Sequence, residues 1–328
     1  MLDKPFYKRG KSGLFVAITV SMLLMYLYVS KAGMLSTSTS NFQTKTFNNS
    51  LKNGIFWDNS TAINFGHLVF SARNNAIGRN TQNKTAIIQQ RLAKGNGTYR
   101  LSKPAGVQQL IQLNGQTSLT WSQYGQDILV NDFFHKRREG FFVEIGGYNG
   151  ETNSNTLLLE KHYGWKGLLV EANPYLYKQM LEKDRKCYMI NCCISNDEPE
   201  MTFLLADALT AADNVLSKEH KDRIDKEENT SISSMHYGES VKTQCFSLMD
   251  ILDVIGRRHI DYFSLDVEGG EMYILKSIDF DKLDITYFTI ETDQHRDDIL
   301  KFMEEKGYEH RHHLMGDDTF RKTFRQHF

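Results

Sequence analysis

The chain has 328 residues, of which 40% are hydrophobic and 24% charged, a composition typical of globular proteins. Its 39 basic and 40 acidic residues give a formal net charge of −1, so no excess of positive charge indicates a nucleic-acid partner. The four prolines are too few for a proline-rich linker. The length suits one large domain with appendages, or two domains.

An uncharged apolar segment lies near the N-terminus. Its nineteen residues, 12–30, carry no charge, and a helix of that length spans about 28 Å, close to the hydrocarbon thickness of a bilayer. Four basic residues precede the segment and few follow it. The positive-inside rule therefore predicts a single-pass type II membrane protein with a cytosolic tail at residues 1–11 and a signal anchor at 12–30. The alternative is a signal peptide cleaved near Ala32, but the apolar segment is long for one.

Polar residues dominate the next part of the chain, residues 31–120. This composition predicts a flexible stem, in which residues 86–92 and 107–111 are candidate short helices. Sequons for N-glycosylation occur at Asn48, Asn59, Asn83 and Asn96 in the stem and at Asn229 further along the chain. Because four of them fall on one segment that is predicted to be lumenal, the stem is predicted to be glycosylated.

Residues 121–328 are predicted to form a domain in which strands and helices alternate. The predicted strands cover residues 141–145, 167–171, 187–194, 241–248, 260–265, 284–291, 308–313 and 319–324. The predicted helices cover residues 152–162, 173–183, 249–252, 272–278 and 296–306. Such alternation with short connections indicates parallel β-α-β units. A charged run at residues 218–228 is predicted to be a solvated insertion or, with residues 231–234, a substrate lid.

A glycine-rich turn follows the first of these strands. Gly146, Gly147 and Gly150 lie between the strand and a predicted helix, where a nucleoside ligand can approach the backbone. Glu171 ends the second strand, and an acid at that place hydrogen-bonds ribose hydroxyls. The dinucleotide pattern G-x-G-x-x-G is not met, because a tyrosine replaces its second glycine. With Glu144 two residues before the turn, the pattern E-x-G-x-x-x-G instead resembles the first motif of S-adenosylmethionine-dependent enzymes.

The resemblance becomes specific at residues 260–271, where an apolar strand ends in the pattern D-x-E-G-x-E. Residues 122–127, 170–174 and 191–195 agree in the same order. Together these segments resemble the FkbM-type methyltransferase family over about 200 residues, and the added anchor resembles its animal Star-like membrane-anchored subgroup. The resemblance implies an α/β, Rossmann-like class I methyltransferase fold, preceded here by one transmembrane helix and a polar stem. Its sheet has seven mostly parallel strands, the last antiparallel, with the ligand at their carboxyl ends.

The family resemblance also implies S-adenosylmethionine as the cofactor. The three turn glycines would shape the methionine pocket, and Glu144 would meet the ammonium group of the ligand. Glu171 would hold the ribose. Cys193 and Ile194 would flank the adenine, an assignment that rests on their position after the third strand.

Asp266 and Glu268 are the candidate catalytic residues. Methyl transfer to a hydroxyl is an in-line displacement that requires alignment and the removal of one proton. Carboxylates at the end of a central strand lie beside the sulfonium, where Asp266 would act as a base or a substrate clamp. The alternative is a carboxylate that caps the following helix. A divalent metal would require Asp266 to pair with another acid, such as Glu291 or Asp293, and no metal-ligand spacing supports this pairing. No metal site is predicted, and the run of histidines at residues 310–313 is interpreted as a solvated strand.

The four cysteines show no metal-binding spacing. In a lumenal domain Cys245 could pair with Cys192 or Cys193, but buried free cysteines are the favoured interpretation. Cys187 is the fourth.

Two functions remain open at this stage. The first is a membrane-anchored O-methyltransferase of the secretory pathway, acting in the endoplasmic reticulum, Golgi or endosome on a glycan, lipid or small-molecule hydroxyl. The second is a Star-like trafficking or cargo-export factor that uses the same fold as a binding module without turnover, because a fold does not determine its function. In both, the partners are a membrane and a glycan, lipid or protein cargo, with no nucleic acid.

Overall fold

The computed structural model describes residues 82–102, 109–113, 116–214, 216–228 and 236–323. The predicted cytosolic tail, signal anchor and most of the stem lie outside these residues, as do the sequons at Asn48, Asn59 and Asn229. In the part of the chain that is described, no helix has the length and apolar character needed to cross a membrane.

Strands and helices alternate through most of the described chain. The strands are β1 (Ala93–Lys94), β2 (Gln109–Leu113), β3 (Gln116–Thr120), β4 (Phe141–Ile145), β5 (Lys166–Glu171), β6 (Tyr188–Asn191), β7 (Cys193–Ile194), β8 (Glu200–Leu204), β9 (Ala211–Ala212), β10 (Ser240–Phe246), β11 (His259–Leu265), β12 (Asp284–Glu291), β13 (Tyr308–Leu314) and β14 (Asp317–Lys322). The helices are α1 (residues 82–91), α2 (Gln126–Phe133), α3 (Leu157–Tyr163), α4 (Pro174–Glu182), α5 (Lys218–Glu228), α6 (Leu248–Ile255), α7 (Glu271–Ser277) and α8 (Arg296–Glu305), with a 3₁₀ turn at Asp207–Leu209.

An eight-stranded sheet forms the centre of the fold, in the order β1-β6-β5-β4-β11-β12-β14-β13. The strands from β6 to β12 in this order are parallel, and β14 runs antiparallel to β12. This is the predicted α/β methyltransferase-like architecture, in which the last strand is antiparallel. The predicted count of seven strands is one too low, because β1 adds an antiparallel strand to the edge beside β6.

The helices cover both faces of this sheet. All five residues of β4 are buried, as expected for a strand at the centre of a parallel sheet. The larger apolar cluster extends from β4 and β5 across β11 and β12 to α6, α7 and α8. A second cluster, on the other face, includes Trp165, Met180 and Tyr262. Because β4, β5, β11 and β12 are parallel, their carboxyl ends lie at the same edge of the sheet.

A four-stranded sheet in the order β7-β10-β8-β9 accompanies the main sheet. The predicted strand at residues 187–194 is therefore wrong as a single strand: its first half is β6 of the main sheet and its end is β7 of the small one. The strand is interrupted after Asn191, whose side-chain amide donates to the backbone oxygens of Glu171 and Ala172. The charged run predicted at residues 218–228 is the helix α5, whose Ile224 packs against Ala206 and Leu209.

Part of the predicted stem belongs to the folded unit. Residues 82–91 are helical, as predicted for residues 86–92, and Ile88 is fully buried. The second candidate helix, at residues 107–111, is wrong: the structure has strand β2 in an antiparallel hairpin with β3. The polar composition of this segment predicted a flexible spacer. A few buried residues are nevertheless enough to hold a short helix and an edge strand on the domain. The sequon residues Asn83 and Asn96 are both exposed.

Candidate active site

A cavity of about 300 Å³ opens at the carboxyl ends of β4, β5 and β11. Most of the residues that the sequence singles out line it. They are Glu144, Gly146, Gly147, Glu171, Cys193, Ile194, Asp266 and Glu268. The fold thus brings together four segments that are separate in the chain.

The glycines of the turn after β4 have different roles. Gly146 has a φ of +84°, and a Cβ atom at this position would lie 1.6 Å from the backbone oxygen of Asp266. Only glycine fits, because the turn after β4 passes directly beside the end of β11. Gly150, with a φ of +75°, packs against Met180 behind the turn and is not among the residues lining the cavity. Its predicted part in shaping the methionine pocket would therefore be indirect.

Glu171 ties the glycine turn to the end of β5. One carboxylate oxygen accepts a hydrogen bond from the backbone N–H of Tyr148 at 2.8 Å, and the other accepts one from Asn173 at 2.8 Å. Burial raises the pKa of Glu171 to about 7, although these hydrogen bonds favour its ionised form. A carboxylate held in this way faces the cavity with its orientation already set.

Glu144 is buried and already has several hydrogen-bond donors. One oxygen accepts from the backbone N–H of Asn155 at 2.8 Å, and the other accepts from the hydroxyls of Ser154 and Thr156. The guanidinium of Arg185 lies 3.9 Å away. The predicted helix at residues 152–162 begins only at Leu157, because the preceding residues form an irregular segment around this carboxylate. The contact of Glu144 with a ligand ammonium stays a prediction.

Asp266 belongs to a group of carboxylates at the ends of β11 and β12. Carboxylate oxygens of Asp266, Glu271 and Glu291 lie within 4.8 Å of one another. Glu271, 2% exposed, accepts hydrogen bonds from the backbone N–H groups of Val267 and Gly269 and so holds the loop after β11. Sequence analysis gave a carboxylate that caps the following helix as the alternative to a catalytic role. Glu271 fits this alternative, because it is the first residue of α7.

Burial and mutual repulsion determine the protonation of this group. Burial raises the pKa of Asp266 well above its usual range, and the charge of Glu268 adds to the rise. Burial, with the charge of Asp266, raises the pKa of Glu291 to about 12, which favours its protonated form. Its hydrogen bond favours the ionised form of Asp266.

The same three carboxylates have a spacing that a divalent cation could bridge. Sequence analysis considered Glu291 or Asp293 as a partner of Asp266 but predicted no metal site, because no metal-ligand spacing supports one. The structure places Glu291 beside Asp266, at the end of the strand next to β11, and adds Glu271 to the group. The histidines of residues 310–313 lie elsewhere, on β13, where His310 and His313 both contact Asp318.

Helix α5 reaches the cavity from the side. Arg223 lines the cavity, and its guanidinium lies 3.7 Å from a carboxylate oxygen of Glu268. The imidazole of His220 lies at the same distance from that oxygen. Glu268 is thus directed towards α5, whereas Asp266 is directed towards the acid cluster. The remainder of the predicted lid, residues 231–234, lies outside the described residues.

Four residues with a left-handed backbone conformation lie on the cavity wall. Tyr148, Asn153, Asp207 and Glu268 have φ values of 50°, 57°, 54° and 56°, and all four line the cavity. Such conformations are disfavoured for residues with a side chain, and they occur preferentially at functional sites. The side-chain hydroxyl of Tyr148 donates to Asp207 at 2.7 Å, which connects the glycine turn to the 3₁₀ turn.

A disulfide joins Cys193 to Cys245. The two cysteines are direct partners in the parallel pairing of β7 with β10. The favoured prediction of free cysteines is therefore wrong for this pair, while Cys187 and Cys192 are free and buried. Sequence analysis could not choose between Cys192 and Cys193, because the strand break that assigns them to different sheets was not predicted.

Comparison with known proteins places the chain in a family. The model of the methyltransferase FkbM domain matches residues 144–310. Among solved structures, a TehB-like SAM-dependent methyltransferase from Corynebacterium glutamicum is 13% identical, with a TM-score of 0.35 over 62% of this chain and 89% of that one. Fibrillarin from Aeropyrum pernix, in complex with natively bound S-adenosyl-L-methionine, is 12% identical, with a TM-score of 0.32 over 70% and 86%. TrmK from M. capricolum, in complex with S-adenosyl-homocysteine, is 11% identical, with a TM-score of 0.29 over 60% and 68%.

No curated protein sequence matches the chain significantly. The family assignment rests on the domain model, which covers half of the chain, including the end of the strand before the glycine turn, Glu171 and the D-x-E-G-x-E segment. These are also the elements that line the cavity. The chain belongs to the FkbM methyltransferase domain family.

Proposed function

We propose that this protein is an S-adenosylmethionine-dependent methyltransferase that methylates a hydroxyl group. One observation carries the proposal: the glycine turn after β4, Glu171 at the end of β5 and Asp266 after β11 all line one cavity. In open α/β sheets, ligands bind in the crevice at the carboxyl ends of the strands. Hydrogen-bond acceptors, among them the carboxylates of Glu171 and Asp266, line this crevice. They suit a ligand with ribose hydroxyls, an ammonium group and a positive sulfonium.

The residues present fit this cofactor. The absence of a side chain at Gly146 and Gly147 lets the turn pack against the end of β11 and against Met180, so that both residues line the cavity. Glu171 would accept hydrogen bonds from the ribose hydroxyls, and Cys193 and Ile194 provide buried apolar surface for the adenine. A cavity of about 300 Å³ is at the lower end of the range for small-molecule sites.

The cofactor supplies an electrophilic methyl group, and the chain orients the acceptor and removes its proton. In this proposal the Asp266 carboxylate accepts the proton of the acceptor hydroxyl. Burial favours the protonated form of Glu291, which would donate a hydrogen bond to Asp266 and so oppose the rise in its pKa. Glu271 holds the loop that follows Asp266 and so limits its movement. The acceptor is a hydroxyl on a glycan, a lipid or a small molecule.

The direct test is calorimetric titration of the full-length protein with S-adenosylhomocysteine, followed by an assay of tritium transfer from methyl-labelled cofactor to microsomal glycans and lipids. We expect saturable one-site binding and label in an alkali-stable ether linkage. Folded protein that releases no heat of binding would rule out the proposal.

Cofactor affinity is predicted to depend on pH through Glu171. The ribose hydroxyls donate to its ionised form, so the bound ligand lowers a pKa that is about 7 in the free protein. Affinity should therefore be fully developed above pH 7 and weaken by up to about tenfold per pH unit below it, until the pKa of the bound state is reached. Titrations with S-adenosylhomocysteine at pH 5.5, 7 and 8.5 measure this dependence.

The matched variant for this measurement is Glu171→Gln, which keeps the shape of the side chain and cannot ionise. It should bind more weakly at pH 8.5 and show a flatter pH dependence than the wild type. An equally steep dependence in the variant would mean that another group is responsible.

We also propose that the methyltransferase domain lies in the lumen of the secretory pathway, on a single-pass type II anchor at residues 12–30. Three features support this placement. The anchor segment is uncharged with basic residues before it, the Cys193–Cys245 disulfide requires an oxidising compartment, and the sequon residues Asn83 and Asn96 are exposed.

Lumenal placement predicts two modifications on the protein from cells. Peptide N-glycosidase F should lower its apparent mass, and alkylation without reduction should leave Cys193 and Cys245 unlabelled. Alkaline carbonate should not extract the protein from membranes if the anchor is retained. A protein with no glycan and with both cysteines alkylated would contradict the lumenal placement.

A further inference from the structure

Arg223 is the single basic residue among the described residues that line the cavity. The acids of the same lining are Glu144, Glu171, Asp207, Asp266 and Glu268. A guanidinium brings a fixed positive charge and several N–H donors into a wall whose other charged groups are all acceptors. This contrast points to a ligand group that is both negatively charged and able to accept hydrogen bonds.

Helix α5 determines where the guanidinium of Arg223 lies. His220 and Ile224 are one helical turn apart, and both are buried. The imidazole Nε2 of His220 donates to the backbone oxygen of Leu209 at 2.9 Å, and Ile224 packs against Leu209 and Ala206. Because Arg223 lies three residues after His220, it adjoins this buried face and is held at the cavity.

The guanidinium of Arg223 is available to a ligand. Its ionic partner in the described part of the chain is Glu268, whose carboxylate oxygen lies 3.7 Å away, beyond hydrogen-bond distance. The arginine side chain is 46% exposed, and an ion pair with this exposure contributes at most about 1 kcal/mol to folding. Fold stability therefore gives little reason for an arginine here, and its N–H groups can bind another partner.

Arg223 lies on the side of the cavity where the methyl acceptor would react. Its partner Glu268 is two residues from Asp266, the proposed base, and the two acids are close enough for the charge of Glu268 to raise the pKa of Asp266. The residues assigned to the ribose and the adenine lie instead on β5 and β7. A group bound to Arg223 would consequently belong to the acceptor, and the guanidinium would offset its repulsion by the nearby carboxylates.

We propose that Arg223 binds an oxyanion, a carboxylate or a phosphate, on the methyl acceptor, so that the enzyme selects acceptors that carry a negative charge near the reacting hydroxyl. This inference rests on the proposed function and names the class of its substrate. Arg223 belongs to α5, outside the glycine turn and the D-x-E-G-x-E segment, and would determine specificity without taking part in proton removal.

The test compares two acceptors that differ in one group. 4-Nitrophenyl β-D-glucuronide carries a carboxylate where 4-nitrophenyl β-D-glucoside carries a hydroxymethyl group. With the full-length protein and methyl-labelled cofactor, kcat/KM should be about 10- to 100-fold higher for the glucuronide, the range expected for hydrogen bonds to a charged group. The difference should lie in KM, because the oxyanion is bound equally before and during transfer.

Arg223→Gln removes the charge and should lower kcat/KM for the glucuronide to the value for the glucoside. Its rate with the glucoside and its affinity for S-adenosylhomocysteine should stay within threefold of the wild type. Arg223→Lys keeps the charge but not the planar fork, so it should lose only part of the preference. The matched control is Lys221→Gln, which removes a cation of the same helix that is exposed and is not among the residues lining the cavity.

The natural acceptor can be classified without being identified. Label transferred to the microsomal extract should be retained on an anion-exchange resin at pH 7, and Arg223→Gln should reduce this retained label at least tenfold. Loss of retention after alkaline phosphatase would identify a phosphate ester, and loss after chemical reduction of carboxyl groups would identify a carboxylate. Both results support the proposed class of acceptor and distinguish its two sources.

Three results would overturn the inference. They are label that passes the resin unretained, a preference for the glucuronide that survives Arg223→Gln, and S-adenosylhomocysteine binding that is tenfold weaker in this variant, since Arg223 would then serve the cofactor. A wild type that binds no S-adenosylhomocysteine, or that transfers no label to any acceptor, would instead contradict the proposed function itself.

Discussion

Replacing Asp266 with asparagine should reduce methyl transfer by about 10²- to 10⁴-fold and change the affinity for S-adenosylhomocysteine by less than threefold. The range is the usual contribution of a general base. The amide has the shape of the carboxylate and can still accept hydrogen bonds, but it cannot take up the proton of the acceptor hydroxyl. Tritium transfer from methyl-labelled cofactor to a microsomal extract measures the first quantity, and calorimetry measures the second.

Glu268→Gln provides the comparison for this variant. Glu268 is directed towards Arg223 and His220, so we expect a loss of transfer below tenfold, although the sequence marks both acids as candidates. Asp266→Asn with more than a tenth of wild-type transfer, or a larger loss in Glu268→Gln, would contradict the assignment of the base. A wild type that binds the cofactor but transfers no label would instead favour the binding-module alternative, in which cargo movement should survive Asp266→Asn.

Gly146→Ala should abolish cofactor binding and lower the melting temperature. The added Cβ would lie 1.6 Å from the backbone oxygen of Asp266, and a backbone atom at the end of a central strand cannot move aside without displacing β11. The positive φ of +84° adds strain for any residue with a side chain. The measurement is calorimetry with S-adenosylhomocysteine, together with thermal unfolding of the same preparation.

Gly164→Ala is the matched control for the backbone effect. Gly164 also has a positive φ, of +70°, but a Cβ there would meet nothing within 4 Å. Its cost should be limited to the conformational strain of about 1 kcal/mol, with wild-type cofactor affinity. If both alanine variants bound the cofactor equally well, close packing of the turn against β11 would not be what the site requires.

The parts of the site that sequence analysis predicted are those whose signals are local. A buried strand followed at once by Gly146 and Gly147, and an acid ending the next strand, each lie within one short segment. Because parallel strands end at the same edge of a sheet, the convergence of Glu171 and Asp266 follows from topology once the β-α-β order is recognised. The FkbM family model matches a range that contains Gly146, Glu171 and Asp266.

The parts that were missed depend on contacts between distant segments. Cys245 meets Cys193 only because the chain leaves the main sheet after β6. Strand β2 was predicted as a helix because its few residues carry no clear period, so its pairing with β3 decides its conformation.

The Cys193–Cys245 disulfide links a residue that lines the cavity to strand β10. The disulfide closes a loop with a sequence separation of 52. This loop contains β8, the 3₁₀ turn, β9 and α5. A disulfide that closes a loop of this length stabilises the folded state by about 4 kcal/mol, because it restricts the unfolded chain. A copy retained in the cytosol would be reduced and would lose this restraint on the segment that carries Arg223. With the lumenal placement proposed above, assembly of the complete pocket would be coupled to formation of this disulfide in the secretory pathway.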